Sequence, residues 1–138
     1  MSDSDSLREA ALAGDTAAQM RLGKKLMRGR GEERNYEEAV QWFDRAAQKG
    51  EADAAYWLGK CYLKGLGAPK DAEGAATCLE QAARLGHASA QWKLGECFEK
   101  GVGVPASREL AAYWYRKAAA RGETRAYDSL LRMESSPN

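Results

Sequence analysis

The sequence contains no isoleucine and only three valines and three threonines. Strands draw on β-branched residues to cover a pleated surface, so this scarcity excludes a sheet of any size. No stretch approaches 18 consecutive apolar residues, which excludes a transmembrane helix. Neither sign of charge is in excess, because 21 Lys and Arg against 20 Asp and Glu leave a net charge of +1. Without a bulk positive field, binding to nucleic acid or to anionic lipid is not expected. Histidine occurs once, at His87, and cysteine three times, at Cys61, Cys78 and Cys97. Three thiols cannot all pair within one chain. The opening residues Met1 to Ser6 carry acid where an export signal carries base. Unpaired thiols in a reducing cytoplasm are the expectation.

Ala, Leu, Lys, Arg, Glu and Gln dominate what remains, and these are the good helix formers. An all-α chain follows before any periodicity is counted. Internal self-similarity then fixes the organisation. Leu22-Gly23, Leu58-Gly59 and Leu94-Gly95 recur every 36 residues, as do Gly29-x-Gly31, Gly65-x-Gly67 and Gly101-x-Gly103. Ala46-Ala47, Ala82-Ala83 and Ala118-Ala119 keep the same register, each followed by Gly50, Gly86 or Gly122. Three full units run over 15–50, 51–86 and 87–122. A capping half-unit over 1–14 precedes them, and one over 123–133 follows, with a tail at 134–138. The whole of 1–138 reads as a single domain.

Each unit reads as two helices. Ala54, Leu58, Cys61 and Tyr62 form one stripe at i, i+4, i+7 and i+8. The Gly-x-Gly pair stops that first helix through the left-handed cap conformation. Asn35, Asp71 and Ser107, all good N-caps, start the second, and Asn35 with Glu38 has the spacing of a capping box. The mid-helix Gly23, Gly59 and Gly95 each cost roughly 1 kcal/mol against Ala. Their recurrence at one register implies close approach of a second helix.

The pattern A-x-x-x-L-G-x-x-[Y/F]-x-x-G-x-G, a cap, then A-x-x-[W/C]-[F/L/Y]-x-x-A-A-x-x-G resembles the Sel-one-like repeat (SLR), a 36-residue relative of the tetratricopeptide repeat. Cys78 departs from it where Trp42 and Trp114 stand, and Leu131 replaces the motif glycine in the last half-unit. The resemblance implies a right-handed α-solenoid of stacked antiparallel helix pairs, with the first helices lining a concave face, and an adaptor or scaffold role. A cysteine-rich secreted branch of the family, associated with penicillin binding, pairs cysteines at registers occupied here by Ala83 and Gln91, so that framework is absent.

Taking the Leu of Leu-Gly as core, the opposite face of each first helix falls at −2, +2 and +5. Those positions are Met20, Lys24 and Met27, then Tyr56, Lys60 and Leu63, then Trp92, Glu96 and Glu99. An exposed column Met20–Tyr56–Trp92 on a face that should be solvated reads as partner contact, with packing inside the superhelix as the alternative. Arg28, Lys64 and Lys100 form a basic column, open to anion recognition or to simple complementation of the helix dipole. Trp57 extends the patch or marks a dimer contact. Gln81 lies on the other side of the stack.

No catalytic signature stands out. The Gly-x-Gly elements extend to no phosphate loop, so they read as turn punctuation. His87, at the first turn of a helix, reads as a surface residue without a nucleophile beside it. The cysteines read as buried small hydrophobes, too widely spaced for a metal. No metal and no cofactor are assigned. The expectation is a non-catalytic binding module for a protein or peptide ligand with an acidic segment. An immunity or inhibitor role, or a β-lactam hydrolase by remote family analogy, is the alternative.

Overall fold

The computed structural model describes residues 3–29 and 34–136, and among these it contains eight α-helices and no strand. They are α1 (Asp3–Leu12), α2 (Thr16–Arg28), α3 (Tyr36–Gln48), α4 (Ala52–Lys64), α5 (Ala72–Arg84), α6 (Ala88–Lys100), α7 (Arg108–Ala120) and α8 (Thr124–Ser135). Each helix packs on its sequence neighbours, so the chain is a stack of helical hairpins, an α-solenoid. Gly31 and Glu33 of the first loop lie outside the described residues, as do residues 137–138 of the expected tail. Helix α8 runs two residues past the expected 133.

The second helices start where the sequence placed them. Asn35, Asp71 and Ser107 accept the backbone N–H of Glu38, Gly74 and Leu110 at 3.0, 2.9 and 3.2 Å. The capping box is not closed, however. The Glu38 carboxylate accepts instead from the Trp42 indole at 2.9 Å and from Arg8, which pull it away from the Asn35 backbone. Asp15 and His87 cap two first helices through the N–H groups of Ala18 and Ala90, each at 3.1 Å.

The mid-helix glycines lie where helices touch. A Cβ on Gly23 would sit 2.6 Å from the Phe43 ring, one on Gly59 2.9 Å from Leu79, and one on Gly95 2.6 Å from Tyr115. The Gly-x-Gly element does two jobs rather than one. Gly65 is the left-handed C-cap of α4. Gly67 instead carries the next unit against the previous one, since a Cβ there would lie 2.1 Å from the carbonyl oxygen of Tyr36. A Cβ on Gly103 would likewise run into the Ala72 carbonyl oxygen. Punctuation alone therefore does not account for these glycines.

A side-chain amide crosses each of the first three boundaries in the stack, buried at two of them. Gln19 donates to the Ala11 carbonyl at 3.1 Å and Gln91 to the Ala83 carbonyl at 3.0 Å. At the boundary between, position 55 is alanine, and Gln81 reaches from α5 to donate to the equivalent Ala47 carbonyl at 3.0 Å. Gln81 is thus a strut rather than an idle surface residue.

Candidate functional site

The column expected to be exposed is largely used for packing. Met20 is only 7% exposed and belongs to the core. Tyr56 is half-buried and its ring stacks on His87 of the next unit, centroid to centroid 4.5 Å. Trp92 is also half-buried. Its indole N–H donates to Ser129 Oγ at 3.2 Å, and the Arg125 guanidinium lies 4.0 Å over its ring. Helical periodicity alone gives each first helix one buried stripe. In a solenoid its flank also meets the first helix of the following unit, and the −2 register faces that flank.

The remaining positions separate by unit. Lys24 forms an ion pair with Asp53 at 2.8 Å, tying unit one to unit two. Met27 and Leu63 are half-buried against the core, and the Met27 sulfur meets the Cys61 thiol at 3.9 Å. Glu96 lies between Lys93 at 3.3 Å and Lys100 at 3.7 Å. Glu99 accepts from the Tyr115 hydroxyl at 2.6 Å and from Arg132 at 3.0 Å. Hydrogen bonds from Arg132 and Tyr115 hold its carboxyl down at about 2. Unit three therefore spends its acids on its own framework and on α8.

His87 is more than a surface residue. Its Nδ1 accepts the Ala90 N–H, so the Nε2 proton faces Asp53 Oδ1 at 3.1 Å. That hydrogen bond, with Lys24 assisting, lowers the Asp53 carboxyl to about 2. Both ring nitrogens are engaged in structure, and no nucleophile shares them. Burial pushes all three thiols up, Cys78 to about 11. Cys78 is half-buried rather than fully enclosed. Among the described residues no group of His, Cys, Asp and Glu could hold a metal ion.

What the structure gathers on the first-helix face is a cationic cluster around Trp57. Lys60 Nζ lies 4.0 Å from the Trp57 ring and 4.5 Å from the Tyr56 ring. The Arg28 guanidinium stands 5.9 Å from the Trp57 ring centroid. Trp57 itself stacks on Phe43 at 5.7 Å. Burial, with Lys64 close by, lowers the Lys60 ammonium below the usual lysine range. None of Arg28, Lys60 and Lys64 forms an ion pair with a described residue. Lys100 stands apart, on Glu96. The sequence signal for this cluster was Trp57, which replaces the basic residue of the other two units.

The Sel1 repeat family pattern matches residues 16–51, 52–87 and 88–123. The chain belongs to the Sel1 repeat family. The matched Sel1 repeats start one residue after the units read from the spacing, because that reading included the N-cap. A Sel1 repeat protein from Oxalobacter formigenes is 39% identical, with a TM-score of 0.85 over 96% of this chain and 99% of that one. A protective antigen of uropathogenic Escherichia coli displaying an SLR fold is 34% identical, with a TM-score of 0.94 over 96% of this chain. This chain spans only 28% of that antigen's length. Cysteine rich protein B of Helicobacter pylori shares the fold at 20% identity, TM-score 0.73, over 92% of this chain and 96% of that one. No curated protein matches. Sel1 repeat proteins are in general protein-interaction scaffolds, and no helix described here is long and apolar enough to cross a membrane.

Proposed function

We propose that the chain acts as one domain, a non-catalytic module that takes an acidic segment of a partner protein across its first-helix face. The observation that carries this reading is the cluster of Arg28 and Lys60 on the Trp57 ring with Lys64 close to Lys60, none of the three in an ion pair with a described residue. A half-buried ammonium such as that of Lys60, with other cations beside it, gains from an incoming anion. The Trp57 face adds the kind of aromatic contact that dominates protein interfaces. The column Met20–Tyr56–Trp92 contributes by holding this face rigid rather than by touching the partner along its length. Lys24 is committed to Asp53 and plays the same part. The engaged His87 and the raised thiols support a role without catalysis, and unpaired cysteines fit a reducing cytoplasm.

The experiment is affinity capture from the source cell, followed by titration of the purified partner. Arg28→Glu/Lys64→Glu changes two exposed residues and should weaken binding at least tenfold, mainly through a slower on-rate, and flatten its salt dependence. Gln41→Ala, an exposed change on α3, should leave binding unaltered. A double variant that binds its partner like the wild type would sink the first-helix-face reading.

A further inference from the structure

The three units act as controls for one another, and one register on the second helices breaks pattern. Glu38, Gly74 and Leu110 are equivalent, as are Gln41, Thr77 and Tyr113. Units one and two hold small or polar residues there. Unit three holds Leu110 and Tyr113, 45% and 44% exposed. Neither is needed to close the core, because the buried stripe of α7 is Ala111, Trp114, Tyr115, Ala118 and Ala119. Two large apolar side chains stand in water where the same fold, twice in the same chain, dispenses with them.

They border a cleft. Between α5 and α7 an open groove of about 750 Å³ has Leu110, Tyr113, Trp114 and Phe98 along it and Lys117 and Arg121 at one end. Its size falls within the roughly 300–1,000 Å³ of ligand-binding clefts. The register of Gln81, which bridges α5 to α3, is occupied by Lys117 in α7, and Lys117 turns to Tyr113 instead, 5.4 Å from its ring. Neither Lys117 nor Arg121 forms an ion pair with a described residue. Arg84 beside them is paired with Glu80 at 3.0 Å. A neighbouring pocket that shares Glu80 and Phe98 with the groove also carries Glu73. The cleft is thus apolar along its middle and basic at one end.

We infer that this groove is a second docking site, distinct from the first-helix face, for an amphipathic peptide segment of a partner protein. The segment places apolar side chains on Leu110 and Tyr113 and carboxylates at the Lys117–Arg121 end. Helices laid into grooves are read through apolar anchors a turn apart, and the spacing of Leu110 and Tyr113 on one helix face offers that. The charge at the Lys117–Arg121 end sets the direction of the segment. A second copy of the chain meeting it through the same face would bring groove onto groove and leave both unfilled. A ridge is needed, and a peptide supplies one.

The test uses the full chain and a random peptide library displayed on phage, selected on the wild type and counter-selected on Leu110→Glu/Tyr113→Thr. That variant installs the residues units one and two carry at these registers, so the fold has precedent for them. Its helicity and melting are checked first. Peptides that combine apolar residues with Asp or Glu should be enriched. Their fluorescence-anisotropy affinity should fall at least tenfold on Leu110→Glu/Tyr113→Thr and on Arg121→Glu, and hold on Arg28→Glu/Lys64→Glu. No enrichment, or peptides indifferent to the groove variants, overturns the inference. A concentration-dependent dimer abolished by Leu110→Glu/Tyr113→Thr also overturns it, assigning the groove to a second copy.

Discussion

His87 and Asp53 stand 34 residues apart in sequence and 3.1 Å apart in space, and between them they close the boundary from unit two to unit three. Ser89 and Glu123 repeat the same offset at the next boundary, at 3.3 Å. A residue in the first turn of one first helix thus meets the N-cap of the next, so capping and stacking are accomplished by the same side chains. In a solenoid, where each unit contacts only its neighbours, such bonds carry the cooperativity between units.

Asp53 should therefore set part of the acid limit of stability. Its carboxyl is held at about 2, first by the His87 hydrogen bond and then by Lys24. A depressed folded-state value contributes stability that is full above the ordinary aspartate range and lost as pH falls toward 2. Water reaches about a third of this side chain, so the contribution is about 1 kcal/mol after screening. Asp53→Asn should be less stable by that amount at pH 7, with the gap closing between pH 4 and pH 2. Urea melts of both proteins at several pH values check it, and a gap independent of pH would refute the assignment.

Gly95→Ala should destabilise although alanine is the better helix former by roughly 1 kcal/mol. The new methyl would sit 2.6 Å from the Tyr115 ring, which is fully buried and anchored through its hydroxyl to Glu99. Overpacking of this kind costs ~1–3 kcal/mol. Gly59→Ala meets Cγ of the fully buried Leu79 at 2.9 Å and the Ala75 carbonyl oxygen at 3.3 Å and should destabilise as well. Gly59→Leu, which cannot be absorbed by one rotamer change, should melt far below the wild type. Equal midpoints for Gly95→Ala and the wild type in urea would show that the helices do not need the glycine.

The 36-residue register, the helix pairs, the glycine contacts and the second-helix caps were all legible in the sequence, because each is a local or periodic property. The first-helix face was legible only in part. Periodicity gives the angle of a residue around its own helix, and it cannot say which flank a neighbouring unit covers. Met20 was assigned to solvent for that reason, and Tyr56 and Trp92 were only half free of it. Trp57 announced itself by breaking its column. Leu110 and Tyr113 broke theirs just as plainly, on the helices that the concave-face expectation passed over. The His87–Asp53 bond joins two types of position that no spacing rule pairs.

The thiols should be free and slow to react. Cys61 and Cys97 are buried and Cys78 half-buried, all unpaired, and burial raises each thiol, Cys78 to about 11. The thiolate is the reactive form, so titration of the native protein at pH 8 with a chromogenic disulfide should proceed over hours. In denaturant, without reductant, three groups should appear at once. One group in place of three would mean a disulfide and would contradict the packing.

Gln91 holds α6 to the end of α5 through the Ala83 carbonyl. That carbonyl also accepts the Gly86 N–H at 3.0 Å, so it keeps a partner when the amide is removed. Gln91→Ala should then cost only about 1–2 kcal/mol, from the lost bond and the space left behind. The resemblance to the family's cysteine-rich branch implies paired cysteines at the same two registers. Ala83→Cys/Gln91→Cys should therefore oxidise to a disulfide across a loop short enough to add about 2–3 kcal/mol, relative to its own reduced form. Mass spectrometry with and without alkylation reads the bond, and melts in either redox state read its effect. Two thiols that stay free under oxidation would show that α5 and α6 approach differently here, and that the amide strut replaces the disulfide in function but not in geometry.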